Sequence, residues 1–346
     1  MRAAIAWPSS LPQKYSVNPN AWLRLFAGWP GRMKSAVRSQ MLNVVLVVPN
    51  DNEKTWRDFR EIAAVAGKQG VRVTLVRHRR KEQLRLLPLW LRSTVSMALT
   101  GRTDRKLLPG RFLSGRRISK IEEYQVLEDA GAPVPKWTEL KPGTALDPGE
   151  WGPYVIEKPS RGMFGANVRP RKTSRVKFEH QSDLPSTHRG SQAPMIVQKF
   201  VYTGEWPVSY RVVTAFGDVV LCIRVTTKRG TPLRTRWGFD QGGVAIVSNT
   251  KEMEVVLDAD PEIMAVASRS HRTAFPDIPI LQFDLGRDAE TGEICVFECH
   301  PFEPTWPFSH GRAMAVQAFY GVSFDNQFGA MEGIGRAVVR KAREIL

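Results

Sequence analysis

Hydrophobic positions along the 346-residue chain change period several times. Leu42-Asn-Val-Val-Leu-Val-Val-Pro49 is a nearly unbroken apolar run rich in β-branched residues, the pattern of a buried parallel strand. Asn50-Asp51-Asn52 follows as a turn or helix cap. Trp56, Phe59, Ile62, Ala63 and Ala66 then recur at helical spacing up to Gly70. Val71 to Val76 reads as a second strand, so this unit predicts a right-handed parallel crossover. No G-x-G-x-x-G follows the first strand, which removes the dinucleotide fingerprint. Residues 78–117 are basic. Within them Leu86 to Leu99, interrupted by Arg92, predicts an amphipathic helix.

Ser119 to Gly131 predicts a capped helix. Ser119 and Glu122 stand at capping-box spacing, Ile121, Tyr124 and Leu127 form an apolar row, and Gly131 ends it. A domain boundary falls near residue 118. Tyr154-Val-Ile-Glu-Lys-Pro159 is a strand with Lys158 at its end, opening into a glycine loop from Ser160 to Val168. A lysine beside such a loop suits phosphate, although glycine loops between strands are also common hairpin turns. Residues 171–193 are polar, as in a surface loop. Met195 to Val201 is a further strand. Ser209 to Phe216 and Val219 to Thr227 flank Gly217-Asp218, a hairpin signal. Arg211 and Arg224 each interrupt one of these apolar strands, and the reading places both along one cleft. Pro261 to Phe275 predicts a helix, and Gln317 to Leu346 a closing helix.

Between those helices, Pro279 to Pro301 reads as two short strands joined by a polar turn. Asp284 sits inside one apolar run and Glu298 inside the other. A buried carboxylate is costly unless it is paired or binds a cation. Two on neighbouring strands, with His300 close by, point to a metal site. Strand alternation puts Glu298 and His300 on one side and Cys299 on the other.

Composition narrows the classes. No run approaches the roughly 18 uninterrupted apolar residues of a membrane span. Three cysteines, Cys222, Cys295 and Cys299, form no CxxC pair, which argues against disulfides or a cysteine zinc site and for a reducing, cytoplasmic setting. Charge is lopsided. Residues 1–120 hold 24 Lys and Arg against 6 Asp and Glu, a net +18, whereas residues 121–346 hold 26 against 28. A basic first third favours an acidic or nucleic-acid partner, or is a solvated face with none. Residues 1–40 contain no acid and read in three ways: as an organellar transit peptide, as a basic extension with Trp7, Trp22 and Trp29 to pack on the body, or as sequence ahead of a start at Met41.

The ordered set is a helix opening on a lysine and ending "DAGAPVP", strand "YVIEKP", a glycine loop, strand "MIVQKFV", two arginine-bearing strands, then "FDLG…VFECHP". It resembles the ATP-grasp superfamily, most closely the RimK-like, glutathione-synthetase-like and D-alanine-ligase-like carboxylate–amine ligases. The resemblance implies an α/β fold with α+β elements. Two α+β subdomains (118–205 and 206–346) would clamp ATP, preceded by a small parallel α/β domain over 41–117.

It also implies roles. Lys120 and Lys158 match lysines on the ATP phosphates. Gly162 and Gly165 lie in the mobile loop over them. Gln198, Lys199, Phe200 and Val201 match the segment that reads adenine, and Glu205 the acid on the ribose. Arg211 and Arg224 match cations that stabilise the transferring phosphate and a substrate carboxylate. Asp284 and Glu298 match the acids that hold Mg²⁺. His300 stands where the family has asparagine, and reads in three ways: as a nitrogen ligand, which shifts preference toward Mn²⁺, Zn²⁺ or another transition metal; as a residue outside the ligand set that orients a phosphate; or as the mark of a site with weakened catalysis. The implied reaction is ATP-driven amide formation through an acyl phosphate. Arg229, Arg234 and Arg236 favour an anionic amino acid, peptide or metabolite as substrate, and an oligomer is compatible. The rival reading is a weakly catalytic or non-catalytic nucleotide-binding protein that uses its basic third to hold a partner.

Overall fold

The computed structural model describes residues 41–49, 52–77, 82, 84–101, 108–162, 167–228, 233, 235, 253–301 and 306–346. The first apolar run forms β1 (Asn43–Val48), buried along its whole length. Asn52 caps α1 (Glu53–Lys68) by accepting from the Lys54 amide, and β2 (Arg72–Arg77) returns parallel to β1. The helix expected over Leu86 to Leu99 is not formed. Leu84–Leu91 winds in tight 3-10 turns around Pro88, which cannot donate an i→i−4 bond, and Thr94–Ala98 is a fully buried strand, β3. With β4 (Arg111–Ser114) these strands make a four-stranded parallel sheet in the order β2-β1-β3-β4.

Helix α2 (Lys120–Asp129) carries the expected Ser119–Glu122 capping box. It leads into a small antiparallel sheet of β5 (Trp137–Glu139), β6 (Tyr154–Pro159), β7 (Arg169–Lys172) and β8 (Met195–Lys199), ordered β5-β8-β6-β7, with a single helical turn, α3 (Pro148–Trp151), before β6. Residues 173–194 form a surface segment with three short 3-10 turns.

A five-stranded antiparallel sheet follows: β9 (Val208–Ala215), β10 (Asp218–Thr227), β11 (Met253–Leu257), β12 (Ile280–Arg287) and β13 (Ile294–His300), ordered β11-β10-β9-β12-β13. Helix α4 (Pro261–Ala274) lies between β11 and β12 in sequence. The closing segment is three helices rather than one: α5 (Gly311–Tyr320), α6 (Asp325–Phe328) and α7 (Ala330–Ile345). Gly321 and Gly329 interrupt it with left-handed backbone, φ 64° and 59°, which glycine adopts at little cost.

The alternation of the five strands divides two cores. Val213, Ala215, Leu221 and Ile223 face α7 and, through it, α1 and the parallel sheet. Val212, Cys222, Phe283, Leu285 and Cys299 face α4 and α2. Helices therefore cover much of both faces. Among the described residues none is long and apolar enough to cross a membrane.

Candidate active site

The site grows out of the register of β9, β12 and β13. Arg211 pairs with Asp284, and Asp284 pairs with Glu298. Directly paired antiparallel residues share a face, so all three project from the same side. Gln282 and His300, two residues from Asp284 and Glu298 and paired with each other, join them. Cys299 points the other way, into the core against α2. Two carboxylates directly opposite each other repel, and the structure opposes each with a cation. Arg211 grips Asp284 with two bonds, Nε to Oδ1 at 2.9 Å and Nη2 to Oδ2 at 3.0 Å. Lys120 Nζ binds Glu298 Oε1. His300 bridges the pair, with Nε2 3.5 Å from Asp284 Oδ2 and Nδ1 3.8 Å from Glu298 Oε1.

A β-bulge makes this alignment possible. Pairing steps from Asp284↔Glu298 to Leu285↔Val296, leaving Phe297 as the extra residue. The bulge sets both Phe297 and Glu298 toward the side that carries Asp284. Gly286 makes room for the Phe297 ring. A Cβ there would lie 2.3 Å from ring carbon Cζ.

Lys120 is the first residue of α2 and is buried. A cation at a helix N-terminus opposes the helix dipole, so this lysine is not placed for helix stability. Lys158, on β6, is buried beside it. Its Nζ donates to the Tyr124 hydroxyl at 2.6 Å and to the Phe297 carbonyl at 3.3 Å. The single Tyr124 hydroxyl proton serves Gln198 Oε1 at 2.8 Å or the Phe297 carbonyl at 2.5 Å. Tyr124 thus joins α2, the small sheet and the bulge.

Electrostatics follow from this crowding. Burial pushes the Asp284 carboxyl up, but the Arg211 guanidinium and His300 outweigh it and hold it well below the usual carboxylate range. Glu298 is likewise lowered, with Lys120 and His300 overcoming burial. His300 is raised, because Glu298 and Asp284 overcome the burial that disfavours its charge. Lys120 is raised by Glu298 and Glu123 against burial. Lys158 goes the other way. Burial, reinforced by neighbouring Lys120, brings it down to about 8. Neutral, buried lysine is the alternative to an unpaired buried charge.

The structure thus brings Lys120, Lys158, Gln198, Arg211, Asp284, Glu298 and His300 into one place. Arg224 is a correction. It pairs with Tyr210 while Arg211 pairs with Ile223, so the two arginines leave opposite faces of the sheet. Arg224 instead binds Asp258, Nε to Oδ2 at 2.9 Å, on the face that carries Tyr210 and Cys222. One step of register separates the two outcomes. Lys199 pairs with Val155, on the outer side of the small sheet, so only its backbone is available on the inner side. Phe200 and Val201 follow at the end of β8, half-buried, and Glu205 is exposed beyond them. Gly162 is described, whereas Gly165, Arg229, Arg234 and Arg236 lie outside the described residues.

The sequence does not single out Glu123, Tyr124, Gln282 or Phe297, which the structure places beside these groups. In the sequence Tyr124 reads only as a member of the apolar row of its helix. An acid beside it, at a position that the helix buries, was the available signal. Among the described residues, no group of three or more His, Cys, Asp or Glu side chains is arranged to hold a metal ion.

No family model matches the chain, and no curated protein matches it in sequence. Solved structures do match. D-cycloserine synthetase DcsG superposes on 87% of this chain and 99% of its own, at 15% identity and TM-score 0.50. The D-alanine–D-alanine ligase of Bacillus anthracis, solved with ATP, covers 88% and 97% at 11% identity and TM-score 0.46. A RimK domain ATP-grasp protein from Sphaerobacter thermophilus DSM 20745 covers 88% and 99% at 14% identity and TM-score 0.42. At these identities the likeness is one of fold. The chain has the ATP-grasp fold, a mixed α/β architecture whose described residues form one parallel and two antiparallel sheets.

Proposed function

We propose that the chain is an ATP-dependent ligase that joins a carboxylate to an amine, on an anionic amino acid, peptide or metabolite. The observation that carries this reading is the Asp284–Glu298 pair, two like charges side by side with Arg211 on one and Lys120 on the other. Such an arrangement is costly as scaffolding and suited to exchanging partners.

In this reading Lys120 and Arg211 leave the acids for phosphate oxygens when nucleotide enters, and Lys158 joins them. Asp284 and Glu298 are then free to hold a divalent cation. Their hard oxygens fit Mg²⁺ or Mn²⁺, and the His300 nitrogen adds weight to Mn²⁺. The cation would neutralise charge on the transferring phosphoryl group. Gln198 to Val201 line the base and Glu205 the ribose. A substrate carboxylate oxygen attacks the γ-phosphorus as the bond to ADP breaks. The amine nitrogen then attacks the acyl carbon, phosphate leaves, and the nitrogen loses its proton. The protein contributes alignment and charge, with no covalent intermediate of its own.

The test is ADP release by the whole protein with Mg²⁺ or Mn²⁺ across a panel of acidic amino acids, peptides and amines. Substrate-dependent release that disappears in Asp284→Asn supports the reading. Release unchanged in that variant overturns it.

A further inference from the structure

β13 is the outer strand of the five-stranded sheet, so among the described residues one of its edges has no strand partner. An edge of this kind leaves backbone groups to be satisfied by other means. Helix α2 and its flanks cover it group by group. The Val296 amide donates to the Pro133 carbonyl at 2.7 Å. The Phe297 carbonyl accepts from Tyr124 and Lys158. The Cys299 amide donates to Glu123 Oε1 at 2.6 Å, and the Pro301 carbonyl accepts from the Arg116 amide at 3.1 Å. The three side chains in this set are buried, Glu123 at 4% exposure, Tyr124 at 0% and Lys158 at 6%.

Their positions matter more than their number. Tyr124 holds the carbonyl of the bulged residue, immediately before Glu298. Glu123 holds the amide between Glu298 and His300. These two bonds bracket Glu298 and fix the backbone rotation that sends Glu298 and His300 to the face that carries Asp284 and Arg211. A carboxylate buried beside another carboxylate is a poor choice for packing alone. Burial pushes Glu123 up to about 7, against the pull of Lys120 and with Glu298 adding to the rise. A group kept at that cost is held there by the bonds it makes.

We propose that Glu123 and Tyr124 are positioning residues that clamp the outer edge of β13 and aim Glu298 and His300. Glu123 acts as a hydrogen-bond acceptor, so an amide oxygen serves in its place. Tyr124 acts through its hydroxyl and links the same bulge to Lys158 of the small sheet. The inference rests on the proposed function only for its catalytic consequence; the clamp itself is a property of the resting chain.

The experiment uses the full chain as wild type, Glu123→Leu, Glu123→Gln and Tyr124→Phe. Two readouts are taken: amide hydrogen exchange over residues 296–300, and binding of a non-hydrolysable ATP analogue with Mn²⁺. Glu123→Leu should speed exchange at Cys299 at least tenfold and weaken Mn²⁺-dependent binding about 10- to 100-fold, the range typical of groups that orient ligands. Glu123→Gln should restore both to within about threefold. Tyr124→Phe should loosen the segment while keeping its ring packed, and serves if Glu123→Leu does not fold. Unchanged exchange in Tyr124→Phe, and in Glu123→Leu where it folds, overturns the clamp. So does a Gln variant as impaired as Leu. Faster exchange in a protein whose wild type binds no analogue would sustain the clamp and defeat the proposed function instead.

Discussion

Asp284 and Glu298 stand directly opposite each other on β12 and β13, and each is neutralised by a cation from a different element, Arg211 of β9 and Lys120 of α2. The resting site is therefore balanced, and removing one member exposes the other. Glu298→Gln takes from buried Lys120 the carboxylate it binds and leaves only Glu123 nearby. We expect it to lose about 3 kcal/mol of stability, as is typical when one partner of a buried pair is removed. Bound nucleotide should recover part of that loss by giving Lys120 a phosphate to meet. Chemical denaturation with and without an ATP analogue measures both.

Arg211 and Arg224 differ in what they face, and their variants should differ accordingly. Arg211→Gln should abolish substrate-dependent ADP release. Arg224→Gln should leave it within about threefold and cost only about 0–1 kcal/mol, since the Arg224–Asp258 pair is substantially exposed. Steady-state kinetics and thermal melts on the two variants separate these outcomes. Equal loss of activity in both would contradict the face assignment.

Lys158 predicts a pH dependence. With its folded value near 8, it is charged below that pH and neutral above it. Nucleotide affinity should fall as pH rises through about 8, by up to about tenfold per unit. Lys158→Arg, which stays charged, should flatten the profile. Stability of the nucleotide-free chain runs the opposite way. The folded value lies below the ordinary lysine value of about 10.4, so the unfolded chain binds more protons between them. Stability from this group thus rises from about pH 8 to 10.4 and is lost as pH falls through 8. Titrating affinity and denaturation midpoint over pH 7 to 10 checks both signs.

Gly286→Ala would drive a methyl group into the Phe297 ring, 2.3 Å from its nearest carbon. Relief requires the bulge or the ring to shift. We expect a loss of about 1–3 kcal/mol, the usual cost of overpacking, together with weaker nucleotide binding. Equilibrium unfolding and analogue titration read the two effects. A variant as stable as wild type would mean that the bulge is not held where the structure shows it.

Much of the fold was legible in the sequence because it rests on local pattern. The apolar run at Leu42–Pro49, the capping box at Ser119–Glu122 and the Gly217-Asp218 hairpin each announce themselves within a few residues. So did the two acids set in the apolar strands around residues 284 and 298. What was not legible depends on register between strands. Whether Arg224 shares the face of Arg211 and Asp284 is decided by which residue it pairs with across β9, and one step reverses it. The bulge at Phe297 is set by its partners on β12, and the edge bonds of Glu123 and Tyr124 by the packing of α2 on β13. β3 escaped because its apolar residues continue those of the preceding segment, and only Pro88 signalled that one helix could not span both.

The most direct test of the central claim is equilibrium binding of a non-hydrolysable ATP analogue to the whole protein with Mg²⁺, with Mn²⁺ and without metal, in wild type and Asp284→Asn. The account predicts one site, metal-dependent, weakened at least tenfold by the substitution. Absence of binding with either metal, or equal binding by the variant, would contradict it.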